Sequence, residues 1–283
     1  PPPPPPPPPL FFLTLMSESD LLSGLVGSEM CIRDRINSDQ SASKIIASSP
    51  EQEHLEKLSK DFGIKTTNNN LEIVDNSDIV ILAVKPNIVQ AVIDEIKDVA
   101  TDKDILIISI AAGVKIEKIE SQLGSPMRVI RAMPNTPASI MEGVTAICAN
   151  SNAQSNDIEN AKLLFECVGK IAHINEKDID IFTALIGSGP AYVFYLIESL
   201  LDSSKNLHLS EQEKKNLLAS MISGAANLVL NSDDSPNVLR KKVTSPGGVT
   251  QTAIEEFETK GLKEIISKSM IAAEKKSIEL GED

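Results

Sequence analysis

The stretch VTSPGGVTQTAIEEFE, Val243 to Glu258, carries the sharpest chemical signal in the chain. Pro246-Gly247-Gly248 makes a turn free of bulky side chains, and Thr250, Ala253, Ile254 and Phe257 then recur at helical spacing. The turn therefore opens a helix, whose first amide N–H groups have no partner inside the helix. Glycines ahead of them let an anion come close, and the helix dipole favours negative charge there. Ser245 and Thr250 place hydroxyls on either side. Such a mouth suits a carboxylate or a phosphate. The plainer alternative is that Gly-Gly before a helix is only a turn.

A second group of residues stands where strands end. Ala83-Val84-Lys85-Pro86 closes one apolar run, and Ile110-Ala111-Ala112 closes another. Small residues there let a flat ligand lie against the backbone, and Lys85 offers a cation, unless it is simply a solvated loop lysine. At the end of residues 44–48, where an NAD-binding fold usually sets an Asp or Glu on the ribose hydroxyls, Ser48 and Ser49 stand instead. Hydroxyls without a carboxylate tolerate a 2′-phosphate, which favours NADP over NAD, although nearby Glu51 works against this. GSGPAY, residues 187–192, lies inside a helical run, so its G-x-G is read as close helix packing and not as a phosphate loop. RAMPNTPA, residues 131–138, turns at the ligand end of a strand. Glu176 and Asp180, one helical turn apart, are either dipole partners of a helix start or part of a substrate pocket.

The elements that must position these residues alternate. Residues 44–48, 78–84, 104–110 and 127–133 are short apolar runs, as in strands buried on both faces of a parallel sheet. Amphipathic stretches at 51–61, 87–99 and 116–123 separate them, and 143–149 reads as a further strand. This pattern predicts a doubly wound, Rossmann-like parallel sheet with its ligand at the carboxyl ends of the strands. Residues 155–168 read as a helix and 171–174 as a short extended piece; after Glu176 almost everything reads as helix. Two of these helices, 179–201 and 211–230, are apolar on more than one side. They therefore need burial against a second subunit or inside a compact helical domain.

Composition narrows the classes further. With 27 Lys+Arg against 40 Asp+Glu the net charge is −13, aromatic residues make up 3 % and Trp is absent, so nucleic acid is a poor partner. Three cysteines with no C-x-x-C and three scattered histidines argue against a disulfide framework or a metal site. No apolar run approaches the roughly 20 residues of a membrane helix, so the expectation is a cytoplasmic protein without a membrane partner. The N-terminus stands apart. Residues 1–9 are all proline, LFFLTL at 10–15 is too short for a secretory core, and Gly24 and Gly27 follow no evident strand. Residues 1–35 are therefore expected to be a non-native or disordered extension.

VILAVKP, SIAAGV, RAMPNTP, GSGPAY and VTSPGGVTQTAIEEFE together resemble pyrroline-5-carboxylate reductase, in order, from about residue 41 to the C-terminus. The resemblance implies a dinucleotide-binding domain, placed at 36–152, and a helical dimerisation and substrate domain, placed at 153–283. It implies hydride transfer from NADPH or NADH to the C=N carbon of a small cyclic imine carboxylate, in a homodimer that some members build into larger rings. By position, cofactor contacts fall on Ser48, Ser49, Asn70, Ala83, Val84, Lys85, Pro86, Ile110, Ala111 and Ala112. Substrate contacts fall on Ser245, Gly247, Gly248, Val249 and Thr250, with Glu176 also carried over, and Thr250 is the candidate catalytic residue. The family's first strand and glycine-rich loop are expected to be missing, which predicts a sheet without its middle and poor cofactor binding. Two alternatives follow: a non-catalytic dimer that has lost its nucleotide site, or a related hydroxyacid-dehydrogenase-like reductase, whose G-x-x-x-K helix is not found.

Overall fold

The computed structural model describes Leu10–Leu13 and residues 42–282. Its strands are β1 (Leu10–Leu13), β2 (Ile46–Ser48), β3 (Lys65–Thr67), β4 (Ile79–Leu82), β5 (Leu106–Ser109), β6 (Arg128–Met133), β7 (Gly143–Ala149) and β8 (Gly169–His173). They form one sheet in the order β3-β2-β1-β4-β5-β6-β7-β8. All neighbours run parallel except β6 and β7. The helices α1 (Gln52–Phe62), α2 (Asn70–Asp75), α3 (Pro86–Lys103), α4 (Ile116–Leu123) and α5 (Ser155–Glu166) accompany it.

The continuous apolar runs have a direct explanation. Successive strand side chains point to opposite faces, and both faces of this sheet are covered. Val80 and Leu82 pack with Val92, Ile93, Ile96 and Ile119 of α3 and α4. Ile79 and Ile81 pack with Leu58 of α1 and Leu164 and Phe165 of α5. α3 begins on Pro86, whose fixed φ and missing N–H suit a first helical position. α1 ends on Gly63 in the left-handed conformation, its N–H returned to the Ser59 carbonyl.

The expectation of a sheet without its middle is corrected. Leu10–Leu13 occupies the central position, paired in parallel with β2 on one side and β4 on the other. A central strand of a parallel sheet needs only a few apolar residues, so LFFL suffices although it is far too short for a membrane or signal segment. Gly24 and Gly27 thus do follow a strand in the chain. Whether the family's glycine loop, expected to be missing, follows β1 concerns residues 14–41, which lie outside the described residues.

The chain divides into two units, one running through Ser188 and rejoined by the segment from Ala273, the other Gly189–Ala272. The boundary lies later than the expected 152/153, because β8 extends the sheet beside β7 and α5 covers both. The first unit also holds a 3-10 turn (Glu176–Asp178), α6 (Ile179–Phe182) and a π-type turn (Thr183–Gly187). The second unit is helical: α7 (Gly189–Asp202), α8 (Glu211–Leu230), α9 (Pro236–Lys242), α10 (Val249–Thr259) and most of α11 (Leu262–Glu282). Ser210 and Glu213 cap α8 reciprocally, each side chain taking the other's backbone N–H.

Within the single chain, the apolar side chains of α7 and α8 are not buried. Phe194 is 63 % exposed and Leu228 66 %. The helical run Glu176–Asp202 is also long and apolar enough, by length and composition, to cross a membrane. Thr183, Gly187, Ser188 and Gly189 interrupt this stretch, so it is not an uninterrupted apolar run in the sequence.

One backbone contact sets a firm stability prediction. Gly169 has φ +146°, and a Cβ added there would stand 2.0 Å from the Gly143 carbonyl oxygen on the neighbouring strand. Gly169→Ala should therefore cost about 3 kcal/mol or more, read as a lower midpoint in denaturant unfolding.

Candidate active site

In the first unit, strand register gathers the residues at the ligand end of the sheet. Leu13 pairs with Ser48 on one side and Leu82 on the other, and Leu82 pairs with Ser109. The chain therefore leaves adjacent strands at Ser49, Ala83 and Ile110. This is the switch point of the doubly wound order, between β1 and β4, from which the strand order runs outward in opposite directions. Ala83, Val84 and Ala111 are buried, Lys85 and Ile110 are partly buried, and Pro86 and Ala112 are exposed.

Polar links hold these ends in shape. The Ser48 hydroxyl donates to Asn70 Oδ1 at 2.8 Å, and Asn70 Nδ2 donates to Glu95 Oε2 at 2.7 Å. Ser49 Oγ accepts the Glu51 N–H at 3.2 Å, and Ser109 Oγ accepts that of Ala111 at 3.3 Å. Ser48, Ser49 and Asn70 are all buried. Small side chains, amide and hydroxyl donors and a lysine beside a helix start suit the sugar and nicotinamide portions of a dinucleotide. The residues that would cradle its pyrophosphate fall in 14–41, outside the described residues.

Glu176 is committed elsewhere in this unit. Its Oε1 accepts the Ile116 N–H at the start of α4 at 2.7 Å and faces the Arg131 guanidinium at 3.3 Å. Arg131 is only 2 % exposed, so a negative partner is required. Asp180 accepts the Ser277 hydroxyl at 2.7 Å. Both acids sit in the first turns of their own helices and from there tie separate elements together. Burial, reinforced by Glu176, pushes the nearby Cys148 thiol up to about 12, so it stays protonated at neutral pH.

In the second unit, α10 opens as expected. Gly247 is left-handed at φ +70°, Gly248 is the N-cap, and no side chain caps the helix. The two glycine amides turn inward. Gly247 N–H donates to Gln251 Oε1 at 2.6 Å and Gly248 N–H to the Ser245 carbonyl at 3.0 Å. The amides facing outward are therefore those of Val249, Thr250 and Gln251, the first helical turn. Val249 is 89 % exposed, and Ser245 and Thr250 are exposed too. The result is an open helix start with hydroxyl residues beside it, a kind of place where backbone amides can accept a small anion.

Residues 176–280 match the model for pyrroline-5-carboxylate reductase dimerisation. The pyrroline-5-carboxylate reductase of Pseudomonas aeruginosa is 37 % identical over 242 residues, covering 85 % of this chain and 88 % of its own. The chain belongs to the pyrroline-5-carboxylate reductase family. The reductase of Escherichia coli is 33 % identical over 231 residues, covering 82 % of this chain and 86 % of its own. Among solved structures, a pyrroline-5-carboxylate reductase from Coxiella burnetii superposes with a TM-score of 0.87 at 32 % identity, over 97 % of this chain and 98 % of the other. The Plasmodium falciparum pyrroline carboxylate reductase, solved with NADP bound, gives 0.83 at 32 % identity, over 96 % and 97 %. Residues 23–113 match a model described as NADP oxidoreductase coenzyme F420-dependent. That match starts inside the segment set aside as foreign.

Against this reductase frame some expectations change. Among the described residues of GSGPAY, a Cβ on Gly189 would meet nothing within 4 Å, whereas one on Gly187, which closes the π-type turn, would meet Met133 Cε and Thr183 Cγ2 at 3.5 Å. Asn135 of the Pro-Asn-Thr-Pro turn bonds the Ile186 carbonyl and the Val144 N–H, so it braces the backbone. Sequence reasoning missed Gln251, which shapes the α10 mouth. The available signal was a Gln three residues after the N-cap, the position from which a side chain reaches back to an orphan amide. It also missed Arg131, whose partner lies 45 residues away.

Proposed function

We infer that the chain reduces 1-pyrroline-5-carboxylate to L-proline with NAD(P)H, the last step of proline biosynthesis. The observation that carries this is the uncapped start of α10, flanked by the Ser245 and Thr250 hydroxyls, in a chain whose other unit is a dinucleotide-type sheet. The C=N bond becomes CH–NH by gaining a hydride at carbon and a proton at nitrogen. When bound, the reduced dinucleotide supplies the hydride. The chain's own residues bind and orient. The Val249 and Thr250 amides and the Ser245 hydroxyl hold the carboxylate, with Gly247 and Gly248 keeping side chains out of the way. The Thr250 hydroxyl donates a hydrogen bond to the ring nitrogen as that atom gains electron density. Holding the ring in one orientation removes much of the barrier.

At the strand ends we assign Asn70, the Ala83–Pro86 stretch and Ile110–Ala112 to the dinucleotide. Ser48 and Ser49 stand where an Asp or Glu would favour NADH, which supports NADPH, although Glu51 two residues on works the other way. The match of residues 176–280 to a dimerisation model and the bare apolar faces of α7 and α8 support a homodimer. Assembly into larger rings and a cytoplasmic location complete the reading, and sedimentation and cell fractionation test them. Glu176, already held by Ile116 and Arg131, is better read as a brace than as a substrate ligand.

The test is direct. Purified protein mixed with 1-pyrroline-5-carboxylate and NADPH should lose reduced-nicotinamide absorbance and accumulate proline in equal amount. Neither NADPH nor NADH being consumed by a folded, dimeric protein would overturn the reading.

A further inference from the structure

The loop that leaves β5 is held from two sides by segments far away in sequence. Gly113, three residues after Ile110, is left-handed at φ +77°, and a Cβ there would meet the Leu280 carbonyl oxygen at 3.0 Å. The converse is tighter: a Cβ on Gly281 would stand 2.5 Å from the Gly113 carbonyl oxygen. Glycine inside a helix is less stable than alanine, so Gly281 in the last turn of α11 makes sense as a point of backbone-to-backbone contact. Four residues earlier, on the same face of the helix, Ser277 is buried and donates its hydroxyl to Asp180 at 2.7 Å. Where the loop enters α4, the Glu176 carboxylate takes the Ile116 N–H. Both clamps therefore use residues 176–180, one directly and one through Ser277.

We propose that the last turn of α11 is a positioning element for the cofactor, with Gly281, seated by the Ser277–Asp180 bond, fixing the shape of the Ile110–Gly113 loop. This rests on the assignment of that loop to the dinucleotide made above. None of these residues touches the reacting atoms; each acts through the loop. A displacement of the loop by the roughly half an ångström or more that a methyl on Gly281 demands would weaken the dinucleotide's grip. It would leave the anion mouth at α10 with the same donors.

Titrating NADPH into the full-length protein, followed by nicotinamide fluorescence, measures this without turnover. Gly281→Ala and Ser277→Ala should each raise the NADPH Kd about tenfold, since small misplacements in a binding shell cost that much or more. The KM for 1-pyrroline-5-carboxylate at saturating NADPH should stay unchanged. Asp180→Asn keeps an oxygen to accept the Ser277 hydroxyl and should bind NADPH like the unaltered protein. Should Gly281→Ala not fold, the Ser277→Ala measurement decides alone. An unaltered Kd in the folded variants, with only a lower melting temperature, overturns the positioning role and leaves the reductase reading intact. Failure of the unaltered protein itself to bind either dinucleotide overturns both.

Discussion

Thr250→Ala should lower kcat for imine reduction by about a hundredfold, the scale of losing one donor aimed at developing charge. KM should change by no more than about threefold, because the interaction lost is stronger in the transition state than in the bound substrate. The reasoning is positional. Thr250 contributes two separate groups at the α10 mouth: its amide belongs to the first helical turn, and its hydroxyl stands beside it. The substitution removes the hydroxyl and leaves the amide, so the carboxylate grip survives while the ring nitrogen loses its donor. Thr250→Ser restores the hydroxyl and should recover most of the rate. Steady-state kinetics on the three proteins decides the matter. An unchanged kcat in the alanine variant would take Thr250 out of the chemistry.

The second large effect concerns assembly. Phe194→Asp or Leu228→Asp should convert the protein from dimer to monomer at micromolar concentration and abolish most activity. In the single chain both side chains are more than half exposed, and no apolar residue of α7 or α8 is buried. Burying a Phe or Leu side chain stabilises by about 1.5–3 kcal/mol, and a twofold interface counts each position twice. Losing about 3–6 kcal/mol this way weakens dimerisation by roughly two to four orders of magnitude, before any cost of burying the new charge. Analytical ultracentrifugation reads the result. A variant that remains dimeric at nanomolar concentration would show that these faces are not the interface.

Much of this was legible in the residues themselves. The strands at 78–84 and 104–110 announced themselves because both sheet faces are covered, which makes the run apolar at every position. The start of α10 was legible because Pro-Gly-Gly followed by helical spacing marks a turn into a helix. What escaped was long-range. LFFL becomes the middle strand only through pairing with 46–48 and 79–82, and four apolar residues carry no such label alone. Glu176 stayed open between dipole partner and pocket residue because a carboxylate at a helix start has two local uses. Its actual partners, Ile116 and Arg131, lie on other elements. The close approach of Gly113 and Gly281 spans most of the chain, and isolated glycines give no sign of which backbone they face.

The most direct test is a crystal structure of the dimer grown with L-proline. The account predicts the amino acid's carboxylate within hydrogen-bonding distance of the Val249 and Thr250 amides and the Ser245 hydroxyl, with its ring nitrogen next to Thr250 Oγ1. Proline bound at another place, with this helix start left to solvent, would contradict it.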